Sequence, residues 1–248
     1  MTRCITLLAL CIAMAGTAQA GILLNFGATV NDNTNSAMHE DGGFVGTNWN
    51  LITTADKLTG IVDENGAATN VSLDLGVGSS YLLNWATQPS SAAALGTSMK
   101  TGVYADNGHS ATYHGSGEVG VRISGLAAGT YDIYISGRNT NTNSGVHMRY
   151  YYETVDSSSG NTSYSTGNSH LMYYPSLADL TAAGTLNTWE QDEDYALFQY
   201  TIADGEDIVV AASSRGFIAT MGIAVVPEPA TMALLGIGGI AALLRRRK

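Results

Sequence analysis

Cysteine is almost absent from this chain of 248 residues, which has two. Both of them, Cys4 and Cys11, lie near the start of the chain. If that start is removed, the remaining chain has no thiol, no disulfide and no cysteine-based metal site. A domain without these must be stabilised by its hydrophobic core, so it has to be reasonably large.

Positive charge is the second scarcity. The chain has 11 Lys and Arg against 21 Asp and Glu, which gives a formal net charge of −10. Nucleic acids and anionic membrane surfaces are bound through cationic patches. The middle of the chain has only Lys57, Lys100, Arg122, Arg138, Arg149 and Arg215. The composition therefore excludes nucleic acid as a partner and favours an acidic body that stays soluble outside the cell.

Familiar catalytic motifs are missing too. His39-Glu40 lacks the second histidine of a metalloprotease helix, and no phosphate loop or dinucleotide fingerprint is present. The segment 108–112 begins like a nucleophile elbow but ends in Thr112 instead of glycine. We interpret His109 and His114 as polar loop residues, with a loop metal site as the alternative. The prediction is a protein that is not an enzyme and has no catalytic residues; an extracellular hydrolase is a remote alternative.

Acidic residues cluster at 63–64, at 192–194 and at 204–207. Loops rich in carboxylates can bind Ca²⁺, which takes six to eight oxygen ligands. None of the three clusters has the spacing of a calcium-binding helix–loop–helix. We predict that the protein has no cofactor and no defined metal ligands, with a structural Ca²⁺ ion as the alternative.

The start of the chain has the three parts of a secretory signal peptide. A cation is followed by an apolar run over 5–15, and the small residues Ala18 and Ala20 come next. Cleavage is predicted after Ala20, so residues 1–20 are the signal peptide. The Sec translocon and signal peptidase are the implied partners. A lipoprotein signal on the second cysteine is disfavoured, because a leucine precedes it where a small residue is needed.

The end of the chain also has three parts. Prolines stop a strand, and the short motif Pro227, Glu228 and Pro229 contains two. The uncharged run 230–244 would form a helix of about 22 Å, shorter than a hydrocarbon core of about 30 Å. Snorkelling cations compensate and hold the end in the cytoplasm; they are Arg245, Arg246, Arg247 and Lys248. We predict a transmembrane helix with a basic membrane stop; a buried core helix is the weaker alternative.

This tail, residues 226–248, resembles the PEP-CTERM sorting signal of Gram-negative bacteria. The resemblance depends on the order of the proline motif, the apolar helix and the basic end. It implies that an exosortase recognises Pro227, Glu228 and Pro229. It also implies a precursor anchored in the inner membrane, and then a product at the cell surface or outside the cell. Such proteins often accompany exopolysaccharide production.

Between the ends, residues 21–225 show the patterns of a mainly β domain. Apolar and polar residues alternate, or apolar runs are short, and glycine-containing turns separate them. The predicted strands are 22–27, 71–75, 119–124, 130–136, 196–202, 208–211 and 217–225. One helical turn is predicted at 176–183, after Pro175. This spacing favours a single antiparallel β-sandwich of jelly-roll type.

The segment 123–138 resembles a hairpin that is common in extracellular bacterial jelly rolls, including the galactose-binding-like sandwich. In that hairpin Gly129 would supply a turn and Tyr131 a core aromatic. Many carbohydrate-binding modules use this sandwich. The resemblance concerns the fold and brings no binding site with it.

Aromatic residues are the best candidates for a binding site in the body. Trp49, Trp85 and Trp189, together with tyrosine runs at 150–152 and 173–174, could stack on sugar rings if they are exposed. The simpler interpretation is that they are core residues and ordinary surface tyrosines. The main hypothesis is therefore an exported, non-enzymatic structural or surface protein sorted by its tail. The alternative is a carbohydrate-binding module that binds exopolysaccharide.

Overall fold

A computed structural model describes residues 20–26, 37–40, 42–52, 57–74, 84–86, 102–104, 119–137, 146–158, 169–174, 189–212 and 217–226. These residues are mainly β. A short helix, α1, covers Ala37–Glu40. The strands described are β1 (Ile22–Phe26), β2 (Trp49–Ile52), β3 (Ser72–Asp74), β4 (Asn84–Ala86), β5 (Gly102–Tyr104), β6 (Val119–Ser124), β7 (Gly129–Ser136), β8 (Val146–Asp156), β9 (Ser169–Tyr174), β10 (Tyr195–Ile202), β11 (Glu206–Ala212), β12 (Phe217–Ile218) and β13 (Thr220–Val225).

The described strands form two five-stranded sheets and a small third one. The first sheet has the order β10-β7-β13-β1-β2, and the second has the order β3-β6-β11-β8-β9. The third sheet is β12-β5-β4. Each sheet has one pair of consecutive strands (β1-β2, β8-β9 and β5-β4), and the other pairs join strands that are far apart in the chain. The fold therefore depends on long-range pairing.

One strand pair corrects the prediction of an antiparallel arrangement. β1 and β2 are parallel, with Leu23 opposite Trp49 and Phe26 opposite Ile52. Parallel neighbours need a crossover of about a dozen residues or more. The chain between Phe26 and Trp49 is long enough for that crossover and contains α1. The other described pairs within the sheets are antiparallel.

Alternation along the chain located most of the strands correctly. β6 covers the predicted 119–124, and β10 covers the predicted 196–202 with one more residue at its start. The predicted strand 217–225 is divided into β12 and β13, because Ala219 lies between them outside either strand. Side chains follow the expected two-residue period in β7, where Tyr131, Ile133 and Ile135 belong to the main core.

The predicted hairpin at 123–138 is wrong. β6 pairs with β3 and β11 in the second sheet, whereas β7 pairs with β10 and β13 in the first. The turn between them therefore carries the chain from one sheet to the other. Gly125 makes this turn at φ +83°, where a Cβ would lie 2.9 Å from the carbonyl carbon of Asn70. Tyr131 is a core residue as predicted, and its hydroxyl donates to the Ala127 carbonyl at 2.7 Å.

The two large sheets contact each other directly. One buried apolar cluster includes Ile133 and Met221 from the first sheet and Ile123 and Val210 from the second. The ring of Tyr152 in β8 stacks on Phe198 in β10, with centroids 4.5 Å apart and an interplanar angle of 8°. Burial of this shared apolar surface is the main stabilising term expected for residues 21–226, which contain no cysteine.

Within the described ranges, no helix has the length and apolar character needed to cross a membrane. The predicted signal helix, the tail from Pro227 onward and the helical turn at 176–183 lie outside those ranges. Ala20, the last residue of the predicted signal peptide, is described and is half-buried.

Candidate functional site

The exit of the tail from the domain is well defined. β13 lies between β7 and β1 in the first sheet and is hydrogen-bonded on both sides. At Val226, the last residue described, the backbone N–H donates to the Thr130 carbonyl at 2.8 Å. Pro227, the next residue, has no N–H to donate. The proline motif therefore follows directly on a residue that is still bonded to the sheet.

The outer face of the first sheet is covered by a second apolar cluster. Strand residues contribute Leu23, Tyr134 and Tyr195, while Met38, Phe44 and Trp189 come from α1 and from loops. Phe44 meets Tyr134 edge-on, with ring centroids 6.0 Å apart, and Tyr134 lies 5.9 Å from Tyr195. We name these six residues the outer aromatic cluster.

Glycines make room for the ring of Phe44. A Cβ at Gly21 would lie 2.7 Å from Cδ1 of Phe44, and closer still to Cε1. A Cβ at Gly42 would lie 2.8 Å from the other edge of the ring, and one at Gly222 would lie 3.0 Å from its tip. Real Cβ contacts this short are essentially not seen, so the ring can rest on the sheet only where these side chains are missing.

Trp49 lies at the rim of this cluster, on the edge strand β2. It is half-buried and packs against the outer aromatic cluster. His39 of α1 lies beside it, with ring centroids 5.8 Å apart and tilted by 44°. Nε2 of His39 in turn is 3.0 Å from the Gly46 carbonyl, which fixes the imidazole. Trp49 thus has a fixed position and is half-buried.

The three tryptophans predicted to stack on sugars have different surroundings. Trp189 is 4% exposed and belongs to the outer aromatic cluster, so its ring has too little free surface to serve as a platform. Trp85 lies in β4, and its side chain lies outside the described part of the structure. Trp49 is half-buried. Sugar stacking stays a prediction for Trp49 and Trp85.

The tyrosine run in β8 follows the alternation of a strand. Tyr150 is fully buried, Tyr151 is half-buried, and Tyr152 packs against the main core. Tyr152 also meets Tyr200 edge-on at 5.4 Å. The run therefore contributes mainly to the core, as the simpler interpretation expected. The side chains of the run 173–174 are not described.

Carboxylates in the three acidic clusters are engaged by groups of the protein itself. Oδ1 of Asp63 accepts from two backbone N–H groups at 2.9 Å, and Oδ2 of Asp194 accepts from the Glu190 N–H at 2.9 Å. Oε2 of Glu206 accepts from the Ala203 N–H at 2.8 Å. Each of these bonds is local and fixes a turn. A structural Ca²⁺ ion therefore remains a prediction without a ligand set.

Within the ranges described above, no group of three or more His, Cys, Asp or Glu side chains could hold a metal ion. His109 and His114 lie outside those ranges, so the alternative of a metal site there stays untested. The side chains of His147 and His170, in β8 and β9, are also not described.

Polar side chains that bond to distant backbone groups are what the sequence analysis missed. Asn50 in β2 donates from Nδ2 to the carbonyls of Leu23 and Val62 and accepts from the Val62 N–H at 2.8 Å. Glu64 is 8% exposed and accepts three backbone N–H groups. Neither residue has a sequence signal beyond its polarity, because the partners lie more than ten residues away.

On the outer side of the second sheet, Arg122 is the centre of another set of hydrogen bonds between polar groups. Its Nη2 donates to the carbonyls of Asp156 and Ser157, at 3.1 Å in each case. Hydrogen bonds from the Ser158 side chain and backbone lower the pKa of the exposed Asp156 carboxyl, and the nearby guanidinium of Arg122 lowers it further. These contacts close the end of β8 onto β6.

Comparison with known families identifies the tail. The family description "PEP-CTERM protein-sorting motif" matches residues 225–248. The match begins at the last residue of β13 and includes Pro227, Glu228, Pro229 and the basic end. The predicted sorting motif is confirmed, and it covers a small part of the chain at one end.

The rest of the chain has weaker likenesses. No curated protein matches the sequence. Among solved structures, an isomalto-dextranase of Arthrobacter globiformis T6, complexed with panose, aligns with 67% of this chain at 13% identity and a TM-score of 0.31. This chain spans 22% of the length of that enzyme.

Two smaller structures are similar at the same low level. A family 35 carbohydrate-binding module of Clostridium thermocellum covers 45% of this chain and 79% of its own length, at 19% identity and a TM-score of 0.24. TmCBM61, in complex with β-1,4-galactotriose, covers 57% of this chain and 77% of its own length, at 10% identity and a TM-score of 0.23. Likenesses at these scores carry no conclusion about what this chain binds.

Proposed function

We propose that this protein is an exported component of the cell envelope or extracellular matrix, sorted by an exosortase through its tail. Its body is a single β-sandwich of jelly-roll type that acts as a structural or surface element without enzymatic activity. The precursor is held in the inner membrane by the helix 230–244, with residues 245–248 in the cytoplasm. After processing, the body is at the cell surface or outside the cell.

The matched sorting motif carries this proposal, together with its position in the fold. The matched residues start at Val225, and Val226 is still hydrogen-bonded to Thr130 of the sheet. We therefore expect the enzyme that recognises Pro227, Glu228 and Pro229 to act directly next to the sheet. The whole of β13 stays in the domain when the chain is processed beyond Val226.

Replacement of Pro227, Glu228 and Pro229 by alanine tests the sorting role. We expect the variant to stay in the inner-membrane fraction at the size of the unprocessed precursor, while the unmodified protein is processed and leaves that fraction. The matched control replaces Thr231 and Met232 by alanine, which keeps the motif and the charge of the tail. Normal release of the proline-motif variant would contradict the proposal.

A second candidate function, binding of exopolysaccharide, is favoured by one observation. Trp49 is held at the edge of the first sheet by His39 and the outer aromatic cluster and is half-buried. A fixed and partly exposed indole is the kind of surface on which sugar rings stack. A glycan array probed with the body, residues 21–226, tests this candidate. Binding that is lost in Trp49→Ala and kept in Tyr151→Ala supports it, whereas no binding to any polysaccharide removes it.

A further inference from the structure

Glu64 is a buried carboxylate with an unusual set of partners. Its Oε2 accepts from the backbone N–H groups of Val45 and Gly46, at 2.8 Å and 2.7 Å. Its Oε1 accepts from the backbone nitrogen of Gly21 at 3.1 Å. Within the part of the chain that the structure describes, no Lys or Arg pairs with this carboxylate. A buried carboxylate is costly unless a positive charge or several strong donors compensate it.

Gly21 is also the residue that follows the predicted signal-peptide cleavage site. Hydrolysis of the bond between Ala20 and Gly21 adds the hydroxyl of water to the Ala20 carbonyl and a proton to the Gly21 nitrogen. The nitrogen that now donates to Glu64 as an amide would then be an α-amino group. Such a group is mostly protonated at neutral pH, since its pKa is ordinarily about 7.7 to 8.0.

We propose that signal-peptide removal creates the positive charge that Glu64 lacks: the α-ammonium group of Gly21 forms a buried ion pair with this carboxylate. The pair fastens the new N-terminus and the loop at 45–46 to each other beside the first sheet. The processed chain is therefore more stable than one that keeps residues before Gly21. This inference rests on the proposed export, because it needs cleavage after Ala20.

The backbone around Gly21 holds the nitrogen in place. The Glu64 N–H donates to the Gly21 carbonyl at 2.8 Å, so residue 21 is bound to residue 64 through both its nitrogen and its oxygen. The next residue, Ile22, is already paired with Ile223 in the sheet. The new amino group thus has little freedom to move away from the carboxylate.

Close packing allows only glycine at residues 21 and 46, whose backbone N–H groups both donate to the Glu64 carboxylate. The ring of Phe44 fills the space where a Cβ of residue 21 would be. A Cβ at Gly46 would lie 2.5 Å from the carbonyl carbon of Glu64. Ala20 is half-buried, so its departure gives water access to the remaining protons of the ammonium group.

The test compares two chains that end at Lys248 and are kept in detergent. One starts at Gly21, and the other keeps Ala20 and so displaces the amino group by one residue. Both are released from a fusion by a protease that leaves no extra residues. We expect the chain that starts at Gly21 to have the higher urea midpoint. In the Glu64→Gln background the difference should disappear, while in the exposed control Glu190→Gln it should remain.

A chemical measurement gives a second readout. An amine reagent modifies the unprotonated, accessible form of the N-terminus, and mass spectrometry of the N-terminal peptide measures the rate. The ion pair raises the pKa of the Gly21 amino group, and each pKa unit lowers its unprotonated fraction about tenfold. We therefore expect labelling of Gly21 to be at least about tenfold slower in the unmodified protein than in Glu64→Gln. Equal urea midpoints for the two N-termini, or equally fast labelling with and without Glu64, would overturn the inference. If Glu64→Gln does not fold, the comparison of the two N-termini still decides.

The mass of the exported protein separates this inference from the proposed processing. An N-terminus at Gly21 confirms cleavage after Ala20, and the two measurements above then decide about the ion pair alone. An N-terminus elsewhere would contradict both the cleavage site and the ion pair. The sorting role of the tail is tested independently by its own variant.

Discussion

Asp207 and Arg122 form an ion pair between β11 and β6, with 2.7 Å between Oδ2 and Nε. The two side chains are 3% and 11% exposed, so the pair is largely removed from water. Ser124 donates to the same carboxylate oxygen at 2.8 Å. The second sheet is therefore joined on its outer side by a charge pair whose members depend on each other.

Removal of one partner of this pair should be strongly destabilising. We expect Asp207→Ala to lower the free energy of unfolding by about 3 kcal/mol, because it removes the buried carboxylate that accepts from both Arg122 and Ser124. The control is Asp132→Ala, whose carboxylate bonds to the exposed side chain of Gln199. That variant should change the free energy by less than about 1 kcal/mol. Urea unfolding measures both, and an equal effect of the two variants would contradict this account.

Stacking between the two sheets should be measurable as a coupling. Phe198 is 5% exposed, and we expect Phe198→Ala to cost about 3 to 5 kcal/mol. In a double-mutant cycle with Tyr152→Ala, the two changes should be coupled by about 0.5 to 1.5 kcal/mol beyond additivity. Purely additive effects would mean that the rings do not contact across the sheets in solution.

Tyr131 should make stability depend on pH in the alkaline range. Burial raises the pKa of its phenol, and the hydrogen bond that its hydroxyl donates to the Ala127 carbonyl can be made only by the protonated form. The unfolded chain then loses this proton at a lower pH than the folded one. The contribution is fully present below the unfolded pKa of about 10 and is lost as pH rises toward the folded value.

Tyr131→Phe removes both the proton and the hydrogen bond. At neutral pH we expect a loss of about 1 kcal/mol, because the Ala127 carbonyl loses its donor. Above a pH of about 10 the difference between the variant and the unmodified protein should shrink. Unfolding followed across this range measures it, with Tyr151→Phe as the control. A difference that stays constant or grows with pH would contradict the assignment.

Gly222 is a further point at which one methyl group should matter. A Cβ there would lie 2.7 Å from Cγ of Met38 and 3.0 Å from Cζ of Phe44. We expect Gly222→Ala to cost about 1 to 3 kcal/mol, because α1 and Phe44 must move off the sheet. Limited proteolysis should then cut faster near residues 37–46. Adding Phe44→Leu to the Gly222→Ala variant should recover part of the lost stability. No recovery would place the strain elsewhere.

Much of the local structure could be predicted from the sequence, because strand alternation is a property of neighbouring residues. The positions of β6, β7 and β10 follow from the two-residue period of their apolar side chains. The sorting motif could also be predicted, since its three parts are contiguous and its chemistry does not depend on the fold.

Pairing of the strands was decided by contacts between distant residues. The alternation of apolar and polar residues at 119–136 is compatible with a hairpin and with a turn between two sheets. The close approach of Gly125 to Asn70 favours the turn between two sheets. The parallel pairing of β1 with β2 likewise depends on where the crossover packs. Burial of Trp189 and the contact between Gly21 and Glu64 likewise depend on residues that are far apart in the chain.

The sequence by itself determined where this protein is sent and where most of its strands lie, because both are written in short contiguous patterns. Only the tertiary structure decided which strands are neighbours, which tryptophan is half-buried and which carboxylate accepts from the Gly21 nitrogen. Those outcomes depend on side chains that are far apart in sequence and meet only when the two sheets pack.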